Sequence, residues 1–152
     1  MLVEVGDVAP DFELQDQHGT AVKLSGYRGK KVVLIFYPLA FSGVCSGELC
    51  AIRDEFVATA PDDVQVVTVS VDSMFAHRAW ADQERYTFPL LSDFWPHGEV
   101  ARAYGVFDEE RGLAVRGTFI IDGGGVVRWK IVNPIPSARD ISEYQKALAE
   151  IS

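Results

Sequence analysis

Two apolar runs limit what this chain can fold into. Lys31–Pro38 reads KVVLIFYP and Val64–Asp72 reads VQVVTVSVD. Both are rich in β-branched and aromatic residues, as expected of strands buried on both faces of a sheet. Pro38 stops the first run, because it has no N–H for a ladder.

Helical patterns separate and follow these strands. Cys45, Leu49, Ile52 and Phe56 fall at i, i+4, i+7 and i+11, which is one helix face. SMFAHRAWADQERY reads as a second helix with Ser73 as its cap. A third runs from about Gly98 to Tyr104 and ends at Gly105. Upstream, FEL and AVKL are short strands around a turn at Asp16–Gly19. FPLLSD is a short extended piece. GTFIID and VVRWKIV flank Gly123–Gly125 as a hairpin. A last helix is expected from about Ala138 to Ile151. The order β-β-β-α-β-α-(α)-β-β-α is an α/β pattern around one mixed sheet. A βαβ unit followed by a hairpin and a final helix is the core of a thioredoxin-like fold. The expected organisation is a single domain over residues 1–152, in keeping with a length of 152 residues.

Composition removes several function classes. The chain is 48% hydrophobic and 11% aromatic, so it folds around a core. Its formal net charge of −8 argues against nucleic acid or an anionic membrane as a main partner. The longest apolar run, Val32–Phe41, is about half of a membrane span. The N-terminus shows no signal-peptide pattern. Two cysteines are too few for a disulfide-stapled scaffold. A cytoplasmic, reducing location is the expectation, and any disulfide there would be transient and catalytic.

The two thiols, Cys45 and Cys50, stand in FYPLAFSGVCSGELCAIRDEF. Cys45 follows a buried strand and opens a helix, where free N–H groups and the helix dipole favour an anion. Such a site lowers a thiol pKa from about 8.5 into roughly the 3.5–7.5 range. That favours reactivity at Cys45, and less so at Cys50, more than a turn further in. Packing is the competing account of either thiol. Zinc is disfavoured: His18, His77 and His97 are scattered and read as turn, helix-surface and loop residues. The C-x-x-x-x-C spacing also differs from the C-x-x-C of a thioredoxin-type dithiol. No cofactor is expected. Taken singly, Pro38 is explained as a strand terminator, Ser42 as a helix cap, and Glu48 with Arg116 as a surface pair.

Pro38-x-x-x-Ser42-x-x-Cys45 resembles the peroxiredoxin signature P-x-x-x-[T/S]-x-x-C. Glu48, Arg116 in RGTFIID and the opening VGDVAPDFEL fit the same family. FPLLSDFWPHGEVARAYGVF and RGTFIID are similar to the alkyl hydroperoxide reductase E group. The resemblance runs through almost the whole chain. It implies a thiol-dependent peroxidase acting on hydrogen peroxide and organic hydroperoxides, with Cys45 as the peroxidatic cysteine that becomes a sulfenic acid. It further implies that Arg116 holds the thiolate and polarises the peroxide, that Ser42 hydrogen-bonds it, and that Pro38 closes the pocket. Glu48 would orient Arg116 or a neighbouring arginine. The implied reductant is thioredoxin, a mycoredoxin-like protein or a low-molecular-weight thiol. A homodimer is also implied; Phe41, Phe94 and Trp95 are candidates for its contact or for the mouth of the site.

Cys50 departs from the one-cysteine pattern of that group. Its spacing is similar to that of the bacterioferritin comigratory protein or peroxiredoxin Q group, where the second Cys resolves the first. On one helix, five residues give about 500° of rotation and about 7.5 Å of rise, leaving the Cα atoms roughly 8–9 Å apart. A disulfide needs about 7 Å or less. A Cys45–Cys50 bond therefore requires local unwinding, which Gly47 would ease. The alternative is a one-cysteine peroxidase resolved by an external thiol, with Cys50 structural. A redox sensor sharing the same oxidisable thiol and a thioredoxin-fold disulfide reductase are the other classes; the spacing and the Pro/Ser/Arg set disfavour the reductase.

Overall fold

The computed structural model describes residues 2–57, 61–135 and 141–150, with the side chains of residues 44, 45 and 141 outside the description. The two apolar runs are the central strands of a mixed seven-stranded sheet. β1 (Glu13–Gln15) and β2 (Ala21–Lys23) form the leading hairpin. β3 (Lys31–Phe36), β4 (Val64–Ser70) and β5 (Leu90–Ser92) run parallel, and β8 (Arg116–Ile121) lies antiparallel to β3. β9 (Val127–Asn133) closes the far edge, so the order is β2-β1-β5-β4-β3-β8-β9. β6 (Phe107–Asp108) and β7 (Leu113–Ala114) make a separate small hairpin that no sequence pattern announced.

Alternation along β3 supplies two cores. Val32, Leu34 and Phe36 point to one face, where α3 (Glu99–Tyr104) packs through Val100, Ala101 and Tyr104. Val33, Ile35 and Tyr37 point to the other. That second face is covered by α1 (Gly43–Ala51), α2 (Met74–Glu84) and α4 (Ile141–Glu150). Leu49, Ile52 and Phe56 are buried there, as the periodicity predicts. From Ile52 to Val57 the α1 helix continues in the wider π form, with its i→i+5 bonding. Phe56 then meets Tyr144 of α4 edge-on at 6.0 Å.

Ser73 caps α2, its hydroxyl accepting from the Ala76 N–H at 3.2 Å. Gly105 ends α3 in the left-handed conformation. At the other end of α3, Gly98 has a φ of +72° and a Cβ there would fall 2.2 Å from the Phe107 ring, so any other residue would be strained and would displace that ring. The expected start of the last helix near Ala138 lies outside the described residues, as does its expected end at Ile151. The architecture is the thioredoxin-like α/β fold, with parallel strand ends carrying the loops into α1 and α2.

Candidate active site

The site is built where β3 ends. After Phe36 the chain passes through buried Tyr37 and Pro38, turns at Leu39–Phe41, and enters α1 at Gly43. Ser42 immediately precedes the helix, and its carbonyl accepts the Ser46 N–H at 2.8 Å. Cys45 is the third residue of α1, within the turn whose N–H groups lack intrahelical partners. Its backbone position is thus the anion-favouring one that the sequence predicts. Its side chain lies outside the described residues.

One turn further, Glu48 points back into the protein. Its Oε1 accepts from Arg116 Nη1 at 2.5 Å, and both side chains are buried. Arg116 Nε donates to the Ile135 carbonyl at 2.5 Å. Arg116 opens β8, beside the β3 strand that leads to Pro38. The competing account of Glu48 and Arg116 as a surface pair is therefore wrong. Desolvation makes each charge depend on the other, since an unpaired buried charge is strongly destabilising. Two fixed acceptors hold the plane of the guanidinium.

Cys50 faces the other way. Two residues from Glu48 on one helix is a rotation of about 200°. Its thiol donates to Glu84 Oε2 at 3.5 Å and lies 3.4 Å from the Tyr86 hydroxyl. Arg53 closes this corner: it donates to the Glu84 carbonyl, sits 3.8 Å from Glu84 Oε2, and lies over the Tyr86 ring at 5.9 Å. Burial, then the Cys50 contact, pushes the Tyr86 phenol upward, so it stays protonated at neutral pH. Cys50 is a free thiol, half-buried. Sequence reasoning left its surroundings open, because Glu84 and Tyr86 are distant in the chain.

His77 corrects another expectation. It is a fully buried residue and not a helix-surface one. Its Nε2 lies 2.6 Å from Ser70 Oγ at the end of β4. Burial pushes the imidazole down to about 4, against the opposing influence of Asp72 and the Leu90 backbone. His18 and His97 are exposed, in a turn and a loop as expected. Phe41, Phe94 and Trp95 are all exposed, at 48%, 54% and 81%.

This geometry sits in a chain with clear relatives. The AhpC/TSA family model matches residues 5–130. Alkyl hydroperoxide reductase E of Mycobacterium tuberculosis is 47% identical over 152 residues, covering 99% of both chains. The chain is a peroxiredoxin of the AhpC/TSA family. A chloroplastic 2-Cys peroxiredoxin BAS1 of Spinacia oleracea is 39% identical over 155 residues, covering 95% of this chain and 58% of the other. The crystal structure of Enterococcus faecalis AhpC matches with a TM-score of 0.86 at 32% identity, covering 95% of this chain and 90% of that one. This peroxiredoxin is an enzyme, a thiol-dependent peroxidase of the oxidoreductase class. Among the described residues, no helix is long and apolar enough to cross a membrane.

Proposed function

We propose that Cys45 is the peroxidatic residue and Cys50 its resolving partner in a single domain spanning residues 1–152. The Cys45 thiolate attacks the terminal peroxide oxygen. The S–O bond forms as the O–O bond breaks; the leaving alkoxide or hydroxide takes a proton, and Cys45 is left as a sulfenic acid. Ser42 hydrogen-bonds the peroxide, Arg116 polarises it, and Pro38 shields the pocket. Glu48 orients Arg116. The observation that carries this reading is the buried Glu48–Arg116 pair beside the first turn of α1.

In the second step the Cys50 sulfur attacks Cys45. The S–S bond forms, the S–O bond breaks, and water leaves with the Cys50 proton. Both cysteines lie in one α-helix, with Cys50 held on the side away from Glu48. This step therefore requires α1 to open around Gly47. Thioredoxin, a mycoredoxin-like protein or a small thiol then reduces the disulfide. A cytoplasmic location fits these reductants. The exposed aromatics Phe41, Phe94 and Trp95 support a homodimer contact.

Peroxide consumption with a dithiol present tests the first step. Multiple turnovers that vanish in Cys45→Ser are expected. Consumption of a single equivalent would instead mark a sensor. Steady-state assays of the wild type and Cys50→Ser against several reductants test the second step. Unchanged rates in Cys50→Ser would support the one-cysteine alternative.

A further inference from the structure

The proposed chemistry leaves one buried polar cluster unused. β4 carries Thr68 and Ser70 fully buried on the face covered by α1 and α2. Thr68 has a local purpose, donating to the Pro89 carbonyl at 2.9 Å. Ser70 reaches elsewhere. Its hydroxyl donates to Asp72 Oδ2 at 2.6 Å and meets His77 Nε2 at 2.6 Å. With one hydroxyl proton given to the carboxylate, Ser70 accepts from His77 Nε2–H. Burial keeps the imidazole neutral, and the Ser70–Asp72 bond assigns its one proton to Nε2.

The far end of this chain is the active-site turn. Asp72 Oδ2 also accepts the Ala40 N–H at 2.8 Å. Ser92 fixes the Asp72 backbone by donating to its carbonyl at 2.6 Å. Ala40 stands between Pro38 and Ser42. The next residue, Phe41, has a φ of +67°. That conformation costs a residue with a Cβ about 1–2 kcal/mol, so contacts must hold it. Its ring lies 5.9 Å from Trp80, one turn after His77 on α2. Trp80 is fully buried and lies 5.6 Å from Tyr37. The strained turn is thus gripped twice from α2 and the end of β4, through the Ala40 amide and the Phe41 ring.

We propose that Asp72, Ser70 and His77 are positioning residues of the peroxidase. They hold the Ala40 amide and thereby set the Pro38–Ser42 turn against Cys45. The proposal rests on the reading that this turn contacts peroxide. Misplacement of a reacting group by about 1 Å can cost about 100-fold, so a loosened turn has a large kinetic effect.

The test compares two second-order rates at Cys45 in folded variants: oxidation by hydrogen peroxide, and alkylation by iodoacetamide, which needs only the thiolate. Asp72→Ala is expected to lower the peroxide rate about tenfold or more, with alkylation unchanged. Asp72→Asn is expected to restore the peroxide rate to within about twofold, because Ala40 N–H and Ser70 Oγ reach the same oxygen, which the Asn carbonyl can replace. Should Asp72→Ala not fold, Ser70→Ala carries the test, with an expected loss of about threefold in the peroxide rate alone. An unchanged peroxide rate, an equal fall in both rates, or an Asp72→Asn variant as impaired as Asp72→Ala would overturn the proposal. Ser42→Ala separates the two layers. If it is impaired while Asp72→Ala (or Ser70→Ala in its place) is not, only the positioning role fails. If Ser42→Ala is unimpaired, the reading of the turn fails and the proposal with it.

Discussion

The two sides of α1 are built to opposite ends. On one side Glu48 is buried against Arg116, and the pair is closed in the resting protein. On the other, Cys50 sits half-buried among Glu84, Tyr86 and Arg53. In the proposed first step the Glu48 side serves chemistry that needs the helix folded, because the helix start presents free N–H groups near Cys45. In the proposed second step the other side supplies a thiol that reaches Cys45 only when the helix opens. On the proposed mechanism one helix has to be rigid for peroxide and labile for disulfide formation.

Predictions that break this contrast can be ranked. The largest concerns the nucleophile. Cys45→Ser should lower peroxidase activity on the order of 1000-fold or more, whereas Cys50→Ser should leave the rate of Cys45 oxidation unchanged. Stopped-flow measurement of peroxide loss checks both. Next is the buried pair. Arg116→Met removes the buried cation that Glu48 accepts from and should cost about 3–5 kcal/mol in denaturant unfolding. Adding Glu48→Gln should recover part of that loss. A surface pair would show neither effect.

A slightly smaller effect concerns pH. His77 has a folded pKa below its unfolded value, so the unfolded chain binds more protons between about 6.5 and 4. Stability should therefore fall as pH drops through that window, by on the order of 3 kcal/mol at most. His77→Gln should flatten the fall when unfolding is followed at a series of pH values. The smallest effect belongs to the Cys50 side. Tyr86→Phe removes one hydroxyl from the thiol, worth about 1 kcal/mol. It should speed alkylation of Cys50 about fivefold in a Cys45→Ser background, leaving Cys45 oxidation in the parent chain unchanged. Equal sensitivity of both thiols to Tyr86 would erase the distinction between the two sides.

Much of this was legible in the sequence where local pattern carries the information. KVVLIFYP and VQVVTVSVD announced the central strands, and the Leu49–Ile52–Phe56 spacing announced the buried stripe of α1. Ser73 and Gly105 marked helix ends through chemistry within a few residues. What stayed hidden depends on long-range contact. The burial of Glu48 and Arg116, 68 residues apart, needs β8 to lie beside β3. The corner around Cys50 needs residues more than 30 positions away. His77 read as a surface residue because the helical period was judged without the strand beneath it. One signal was available: Thr68 and Ser70 alternate with Val67, Val69 and Val71, placing polar groups on a single buried face. The hairpin of β6 and β7 was missed because each strand is only two residues long.

The contrast between the two sides of α1 reduces to the fate of two sulfurs after one turnover. Intact-mass analysis after one equivalent of hydrogen peroxide, with alkylation of remaining thiols, reads it directly. The expected product has lost two hydrogens, takes up no alkylating reagent, and gives a Cys45–Cys50 cross-linked peptide. A product that has gained one oxygen on Cys45, with Cys50 still open to alkylation, would contradict the account.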